Sequence, residues 1–215
     1  MSHLLIHRGL AKKKFTENTI PSFKYCFDRN YGVETDIHAT RDEEFICFHD
    51  FTLTRIFKKK LSVKNLNYSK IKEISTKLNK PIPLLKDVLK TSKNKCPIFI
   101  EIKPIFSISV LKKLIKETSK FTKCVFISFK HENIYNLLRI KKKTKIGFSF
   151  APPTSVKNIL KKANDKNINC LILDKSYLKS KKIQNLQNEK YFYTIKTKLD
   201  FKKYKKNNNL IFENL

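Results

Sequence analysis

The sequence contains no tryptophan, 1 methionine and only 3 glycines among its 215 residues. No glycine-rich phosphate loop follows the first apolar run, which disfavours a doubly wound nucleotide-binding fold. No apolar run approaches the roughly 20 residues that span a bilayer. Met1 leads directly into Leu4–Ile6, which is too short for the apolar segment of a signal peptide. These absences favour a globular protein.

Cysteine is sparse as well, and its 5 copies show neither paired spacing nor a zinc-ligand pattern. Scattered single cysteines usually act as small buried apolar residues in a reducing compartment. We therefore predict a cytoplasmic protein without disulfides. The residues concerned are Cys26, Cys47, Cys96, Cys124 and Cys170.

Acidic residues are few, with 18 Asp and Glu against 47 Lys and Arg, so that the formal net charge is +29. The lysines are spread over the whole chain, which indicates a composition bias more than a dedicated nucleic-acid surface. We expect no specific nucleic-acid partner, a weak attraction to anionic surfaces and attraction of anionic substrates. A non-catalytic barrel that binds anions or nucleic acid is the alternative that this charge supports. The sequence gives no indication of an oligomeric state.

Apolar runs of strand character alternate along the chain with longer amphipathic, lysine-rich stretches. The predicted strands are Leu4–His7, Val33–His38, Ile98–Lys103, Val125–Phe129, Ile146–Phe150, Cys170–Leu173, Tyr191–Ile195 and Leu210–Phe212. The predicted helices are Ser22–Arg29, Leu84–Thr91, Ser109–Phe121, Ile134–Ile140, Val156–Asn164, Lys182–Asn188 and Leu199–Lys205. Eight strands that alternate with helices are typical of an α/β fold, the parallel (β/α)8 TIM barrel. The length suits one domain, residues 1–215.

One insertion interrupts the alternation after the second strand. A turn at residues 40–44 precedes a further apolar run, Phe45–His49, which predicts a hairpin that folds His49 over the barrel mouth. The long segment that follows, residues 50–83, is expected to form a cap, since excursions of this size are usually functional. The aromatic residues of this segment would contact the leaving group of a substrate or would form a small core within the insertion. They are Phe51, Phe57 and Tyr68.

Polar residues stand at the ends of several predicted strands, and in a barrel these ends meet at one mouth. Alternation places Glu34, Asp36 and His38 on one strand face, and Glu101 with Lys103 on a face of another. Three carboxylates in one cleft repel one another, which favours a cation between them. Oxygen ligands select a hard divalent ion, and they do not separate Mg²⁺ from Ca²⁺. Two histidines and a second cationic side chain complete the cluster: His7, His49 and Arg8.

Ordered motifs in the first half of the chain resemble the glycerophosphodiester phosphodiesterase family. They are His7-Arg8-Gly9, Glu17-Asn18-Thr19-Ile20-Pro21-Ser22-Phe23, Gly32-Val33-Glu34-Thr35-Asp36-Ile37-His38-Ala39-Thr40-Arg41-Asp42, His49-Asp50-Phe51-Thr52-Leu53-Thr54-Arg55, Ile82-Pro83-Leu84-Leu85-Lys86-Asp87-Val88-Leu89 and Phe99-Ile100-Glu101-Ile102-Lys103. The resemblance implies an eight-stranded barrel with a small insertion after the second strand. It also implies divalent-metal-dependent hydrolysis of small-molecule glycerophosphodiesters to sn-glycerol 3-phosphate and an alcohol. The order of attack, by water or by the substrate's own glycerol hydroxyl, stays open.

Carried over to this sequence, the resemblance assigns a role to each residue of the cluster. The metal ligands would be Glu34, Asp36 and Glu101. The acid–base pair would be His7 and His49, and the phosphate-binding cations would be Arg8 and Lys103. Supporting or pocket positions would be Asn18, His38 and Tyr193.

The second half departs from the family pattern. Tyr193 and Lys196 stand where the family usually has Trp and Asn, and Leu210–Leu215 lacks the usual glycine-rich, Asp-containing turn. Substrate selection and barrel closure are therefore less defined than the metal and acid–base set. A lysophospholipase D-type activity at a membrane surface is a further alternative. It would need an exposed apolar rim, for which the insertion offers Phe51, Ile56 and Phe57.

Overall fold

The computed structural model describes residues 3–12 and 15–214. The strands are β1 Leu4–His7, β2 Gly32–Ala39, β3 Phe45–Cys47, β4 Ile98–Ile102, β5 Cys124–Ser128, β6 Ile146–Phe150, β7 Cys170–Asp174, β8 Glu189–Ile195 and β9 Asn209–Phe212. The helices are α1 Ile20–Phe27, α2 Thr54–Phe57, α3 Tyr68–Lys77, α4 Leu85–Ser92, α5 Ile108–Thr118, α6 His131–Ile140, α7 Val156–Ala163, α8 Lys181–Gln184 and α9 Lys198–Tyr204. Two 3-10 helices cover Val63–Asn65 and Lys175–Lys179.

Eight of the strands form a closed parallel barrel. β1 pairs with β2 on one side and with β9 on the other, and both pairings are parallel. The ninth strand, β3, pairs antiparallel with β2 and extends it as the predicted hairpin. The (β/α)8 fold class predicted from the sequence is confirmed. The single-domain boundaries remain a prediction, and their end residues Met1 and Leu215 lie outside the described part of the chain.

The pleat of each strand separates two apolar cores. Inward-facing side chains such as Phe99, Ile127 and Ile172 fill the barrel interior. Their neighbours, such as Ile100 and Leu171, pack outward against the helices. On β2 and β4 the inward positions near the carboxyl ends are polar instead of apolar. The barrel therefore places its buried polar groups at one end, where the strands stop.

The insertion has a small apolar core of its own. Phe57 is buried there with Phe48, Leu53 and Ile71, and Tyr68 packs against the same cluster. The Tyr68 hydroxyl donates to the carbonyl of Ile82 at 3.2 Å. The prediction that Phe57 contacts a substrate is therefore wrong, because its side chain is 2% exposed within this core. None of the described helices combines the length and the hydropathy that a transmembrane span requires.

Candidate active site

A cavity of about 610 Å³ opens where the barrel strands end. Seven of the ten predicted site residues line it: His7, Arg8, Glu34, His49, Glu101, Lys103 and Tyr193. The other three are almost fully buried and do not line it: Asn18, Asp36 and His38. The structure thus brings the predicted cluster together at one mouth, with a layer of polar residues behind it.

Three carboxylates lie at the base of this cavity. Asp36 of β2 and Glu101 of β4 are register partners, and Glu34 lies two residues before Asp36 on the same strand face. One oxygen from each of the three lies within 4.8 Å of the others. All three residues are at least nine-tenths buried. The pleat of two neighbouring strands is sufficient to create this cluster.

The charges of these acids are poorly balanced by the protein alone. Burial, together with repulsion from Asp36 and Glu101, raises the pKa of Glu34 well above its usual range. Burial and repulsion from Asp36 raise the pKa of Glu101 to about 7. Burial also acts on Asp36, but Arg8 and Lys103 outweigh it and hold the pKa of that carboxyl low. Glu34 is consequently the member that most lacks a positive partner.

The donor set fits a hard divalent cation. Both carboxylate oxygens of Glu34 and Oδ2 of Asp36 are buried without a hydrogen-bond donor. Such oxygens are costly to bury unless something positive contacts them. Carboxylate oxygens are the ligands that Mg²⁺ and Ca²⁺ prefer. Glu34, Asp36 and Glu101 could therefore hold such an ion between them.

Two cations flank the acids. Lys103 Nζ lies 2.8 Å from Glu101 Oε1 and 3.3 Å from Asp36 Oδ1. Burial lowers the pKa of Lys103, but the attraction of the carboxylates Asp36 and Glu101 outweighs it, so its pKa is raised and the side chain stays charged. Arg8 Nε lies 3.2 Å from Asp36 Oδ2, an ion pair that is not aligned as a hydrogen bond. Both cations remain close to the cavity where a phosphate would enter.

A tight turn directs Arg8 into the site. Arg8 and Gly9 both have positive φ, of 55° and 69°, directly after β1. A Cβ at Gly9 would lie 2.3 Å from the hydroxyl of Ser22. Glycine is therefore required there both for its conformation and for space. Asn18 closes the turn by donating its backbone N–H to the carbonyl of Arg8 at 2.8 Å.

His7 is held by a carboxylate that lies 206 residues away in the sequence. Its Nδ1 lies 2.9 Å from Oε2 of Glu213, directly after β9, and its Nε2 lies 3.8 Å from Oε2 of Glu34. Because a carboxylate only accepts, Nδ1 carries the proton and Nε2 is turned toward the acidic cluster. Hydrogen bonding from His7, and from Lys196 on its other oxygen, lowers the pKa of Glu213 to about 2. Glu213 therefore stays ionised.

His49 faces the same cluster from the hairpin. Its Nδ1 lies 2.7 Å from Oδ1 of Asp50, which fixes the proton on Nδ1. Burial lowers the pKa of His49, so the ring is neutral near pH 7 and its Nε2 can accept a proton. Arg55 in turn binds Asp50 through Nε at 2.6 Å and also binds Glu17. The insertion thus supports His49 through a chain of charged groups.

The three predicted supporting residues have distinct places. His38 Nε2 donates to the carbonyl of His49 at 3.2 Å, and burial lowers the pKa of His38 to about 4, so it stays neutral. Asn18 Oδ1 accepts from Thr35, the residue between Glu34 and Asp36. Tyr193 lines the opposite wall, where its hydroxyl donates to the carbonyl of Phe150.

Sequence reasoning missed the residues that orient the two histidines. Asp50 and Arg55 both belong to the motif that begins at His49, but the motif alone did not show which side chains they contact. For Glu213 the signal was an acidic residue directly after the last strand. The final strand of the barrel, β9, pairs with the first strand, β1, and His7 is the last residue of β1. The carboxylate of Glu213 could have been expected beside His7 for that reason.

The matched family model agrees with this geometry. The glycerophosphoryl diester phosphodiesterase family matches residues 7–209. The chain belongs to this family. A solved glycerophosphodiester phosphodiesterase of Thermotoga maritima superposes with a TM-score of 0.83, at 20% identity, over 99% of this chain and 94% of that one. An Oleispira antarctica phosphodiesterase, solved with sn-glycerol 3-phosphate, gives 0.81, at 16% identity, over 98% and 92%. These identities show the shared fold.

Curated relatives of the family are similar over shorter stretches. A glycerophosphodiester phosphodiesterase of Caldanaerobacter subterraneus is 26% identical, and the match covers 68% of this chain and 66% of the relative. A lysophospholipase D of Mus musculus is 30% identical over 57% of this chain and 41% of the relative. The chain spans less than two thirds of the length of these curated relatives.

Proposed function

We propose that this member of the family is a divalent-metal-dependent glycerophosphodiester phosphodiesterase that releases sn-glycerol 3-phosphate and an alcohol. The observation that carries the proposal is the set of three buried carboxylates within 4.8 Å of one another, between two oriented histidines. A cavity of this size, within the usual range of about 300–1,000 Å³ for small-molecule sites, accommodates a diester of this kind. The family membership supports the same reaction.

Glu34, Asp36 and Glu101 would hold the divalent ion. When bound, the ion would polarise a phosphoryl oxygen and offset the charge that develops there. Arg8 and Lys103 lie beside the same acids and would bind the remaining anionic oxygens. Their charges stabilise the extra negative charge of the transition state more than that of the bound diester.

The two histidines would transfer the protons. His49 is neutral, so its Nε2 would take the proton of the attacking hydroxyl. His7 would act as the imidazolium, which carries a second proton on Nε2, and would give that proton to the leaving alkoxide. Asp50 and Glu213 orient the two rings through their Nδ1 atoms. Each histidine is thereby presented to the substrate in one fixed orientation.

Glu213 is expected to act by positioning His7 instead of by touching substrate. Glu213→Gln removes the charge of a hydrogen-bond partner, an interaction that typically contributes about 1.5–3 kcal/mol, or about 10- to 100-fold. We expect kcat to fall by that factor and KM to change little, with a shifted pH profile of kcat.

The chain offers a matched control for that variant. His3 Nδ1 and Glu189 Oε1 form the same kind of pair, at 3.1 Å, at the opposite end of the barrel. Glu189→Gln should leave kcat and its pH profile as in the wild type. Equal losses in the two variants, or a Glu213→Gln enzyme with wild-type kcat, would contradict the positioning role.

Selection of the leaving alcohol is expected to depend on Phe129. The predicted role of the insertion aromatics does not fit the cavity, since Phe51, Phe57 and Tyr68 do not line it. Phe129 lines it and packs edge-on against Tyr193 at 5.9 Å. An aromatic contact to a cationic head group contributes about 0.5–2 kcal/mol, or about 2- to 30-fold.

Phe129→Ala should therefore change the ratio of kcat/KM for glycerophosphocholine to kcat/KM for glycerophosphoglycerol. Phe51 is the control, because it is also an exposed phenylalanine and packs edge-on against His38 instead of lining the cavity. Phe51→Ala should lower both values in proportion and leave their ratio unchanged. If the kcat/KM ratio changes in Phe51→Ala and stays unchanged in Phe129→Ala, the insertion selects the head group and Phe129 does not.

The substrate class is tested with a panel of water-soluble glycerophosphodiesters and lysophospholipids, each with Mg²⁺, Ca²⁺ or chelator. The proposed function predicts release of sn-glycerol 3-phosphate from the soluble diesters. Release of choline from lysophosphatidylcholine alone would favour the lysophospholipase D alternative. No turnover of any member, together with salt-sensitive nucleic-acid binding, would favour the non-catalytic alternative.

We also propose a cytoplasmic location. It is supported by the five cysteines, all of which are buried and unpaired. Burial in apolar surroundings raises the pKa of Cys26 to about 11 and that of Cys47 to about 12. These thiols are therefore protonated apolar residues with no structural need for an oxidising compartment.

A further inference from the structure

Large apolar side chains that are exposed to solvent are concentrated on one side of the barrel. Among the described residues, four of them lie one to six residues after the carboxyl end of a barrel strand: Ile105, Ile108, Phe129 and Leu199. Three more lie in the insertion, which begins at the mouth: Phe51, Leu61 and Leu78. Leu199 is the most exposed of them, at 77%. Ile108 is the first residue of α5, and the rest of α5, together with α6 and α7, shows none among the described residues.

This distribution differs from that of ordinary surface residues. Single exposed apolar residues are normal when they are scattered over a surface. Here they come from separate segments, after β3, β4, β5 and β8, that share only their position at the mouth. We name Phe51, Ile105, Ile108, Phe129 and Leu199 the apolar rim. A group of exposed apolar side chains on one surface is typical of a surface that binds an apolar partner.

Lysines lie between the members of the apolar rim. Those exposed in the segments after the strands include Lys12, Lys130, Lys175, Lys196 and Lys198. Lys58, Lys59 and Lys60 directly precede the exposed Leu61 in the insertion. Close to the same strand ends, the exposed acidic residues among those described are Asp42, Glu43 and Glu132 at the start of α6, fewer than these lysines. The mouth therefore combines apolar side chains with positive charge.

We propose that the mouth of the barrel docks on the surface of an anionic lipid bilayer. The apolar rim would enter the interfacial layer while the neighbouring lysines lie among anionic head groups. Stable attachment to a bilayer generally needs two signals, and an apolar insertion combined with a basic surface provides them. The net charge of +29 is complementary to such a surface. This orientation turns the cavity toward the bilayer.

Charge alone would attract this protein to any anionic vesicle, so the test compares two faces at equal net charge. Lys175→Glu/Lys198→Glu changes two exposed lysines at the mouth. Lys142→Glu/Lys143→Glu changes two exposed lysines in the turn between α6 and β6, at the opposite end of the barrel. Both pairs lower the net charge by the same amount. Binding is measured by co-sedimentation with vesicles of phosphatidylglycerol and phosphatidylcholine at physiological salt.

We expect the partition coefficient of the mouth pair to fall about tenfold or more, and that of the opposite pair to fall much less. A second variant, Ile105→Ser/Ile108→Ser/Leu199→Ser, leaves the charge unchanged and should also lower binding about tenfold. It avoids Phe129, which lines the cavity, and Phe51, which packs on His38. If thermal melting shows that the triple variant is unfolded, Leu199→Ser alone takes its place.

Equal losses in the two lysine pairs would show that net charge alone attracts the protein, and would overturn the proposal. Wild-type binding by the serine variant would overturn it as well, because the apolar rim would then have no contact with lipid. Vesicle binding is measured without turnover. Its outcome is therefore independent of whether the proposed hydrolysis is found.

Discussion

Replacing Glu34 by Gln should reduce kcat by at least about 1,000-fold while the fold is retained. The proposed ion supplies several kcal/mol of transition-state stabilisation, and each 1.36 kcal/mol corresponds to about tenfold in rate. Glu34 offers two buried oxygens that accept no hydrogen bond within the described structure, so Gln breaks no hydrogen bond there and removes a charge that lies 3.8 Å from His7 Nε2. Steady-state assays with saturating Mg²⁺ or Ca²⁺ measure the loss, and circular dichroism checks the fold.

The same variant should change stability in the opposite direction from the loss of an acid that is ion-paired or hydrogen-bonded in the folded state. Because burial and neighbouring acids raise the folded-state pKa of Glu34 above its unfolded value, its ionisation opposes folding as pH rises above the unfolded pKa. Without metal at neutral pH, Glu34→Gln should therefore melt no lower than the wild type. With metal, the wild type should gain in Tm and the variant should not. A variant that keeps the metal-induced gain would contradict the role of Glu34 as a ligand.

His7→Ala and His49→Ala should each reduce kcat by about 10²–10⁴-fold, the range typical of a positioned proton donor or acceptor. The double variant should be little slower than the slower single one, because the two histidines serve one reaction. Each is bound to its own carboxylate, Glu213 or Asp50, so neither ring depends on the other for its orientation. Strictly multiplicative losses would instead indicate two independent roles.

A second measurement separates chemistry from folding in these variants. Both histidines lie at the mouth, outside the apolar cores, so their removal should shift Tm only slightly. His38→Ala is the informative comparison, since His38 is buried and supports the carbonyl of His49. It should lower Tm more than His49→Ala and lower kcat less.

The strands could be predicted from the sequence because burial on one or both faces leaves a readable apolar pattern. β1 and β6 have the predicted bounds, and the remaining barrel strands differ at their ends by one or two residues. The predicted bounds of the helices were less exact where the amphipathic pattern is weak. The helix predicted at Lys182–Asn188 is the short α8, Lys181–Gln184, because the chain turns toward β8 at Asn185.

The acidic cluster was predictable for the same reason as the strands. Glu34, Asp36 and Glu101 interrupt apolar runs at alternating positions, and the barrel brings two neighbouring strands into register. The contact between His7 and Glu213 depends instead on closure of the barrel across 206 residues, which no local pattern records. Whether Phe57 faces a substrate or its own small core likewise depends on how the insertion packs.

The most direct test follows glycerophosphocholine by ³¹P NMR with the metal-stripped protein in chelator, and again after excess Mg²⁺ or Ca²⁺ is added. The proposed function predicts an unchanged diester resonance in chelator. After the metal is added, the monoester resonance of sn-glycerol 3-phosphate should appear, and the Glu34→Gln protein should give none. Conversion of the diester in chelator, or a diester that persists with both metals, would contradict the account.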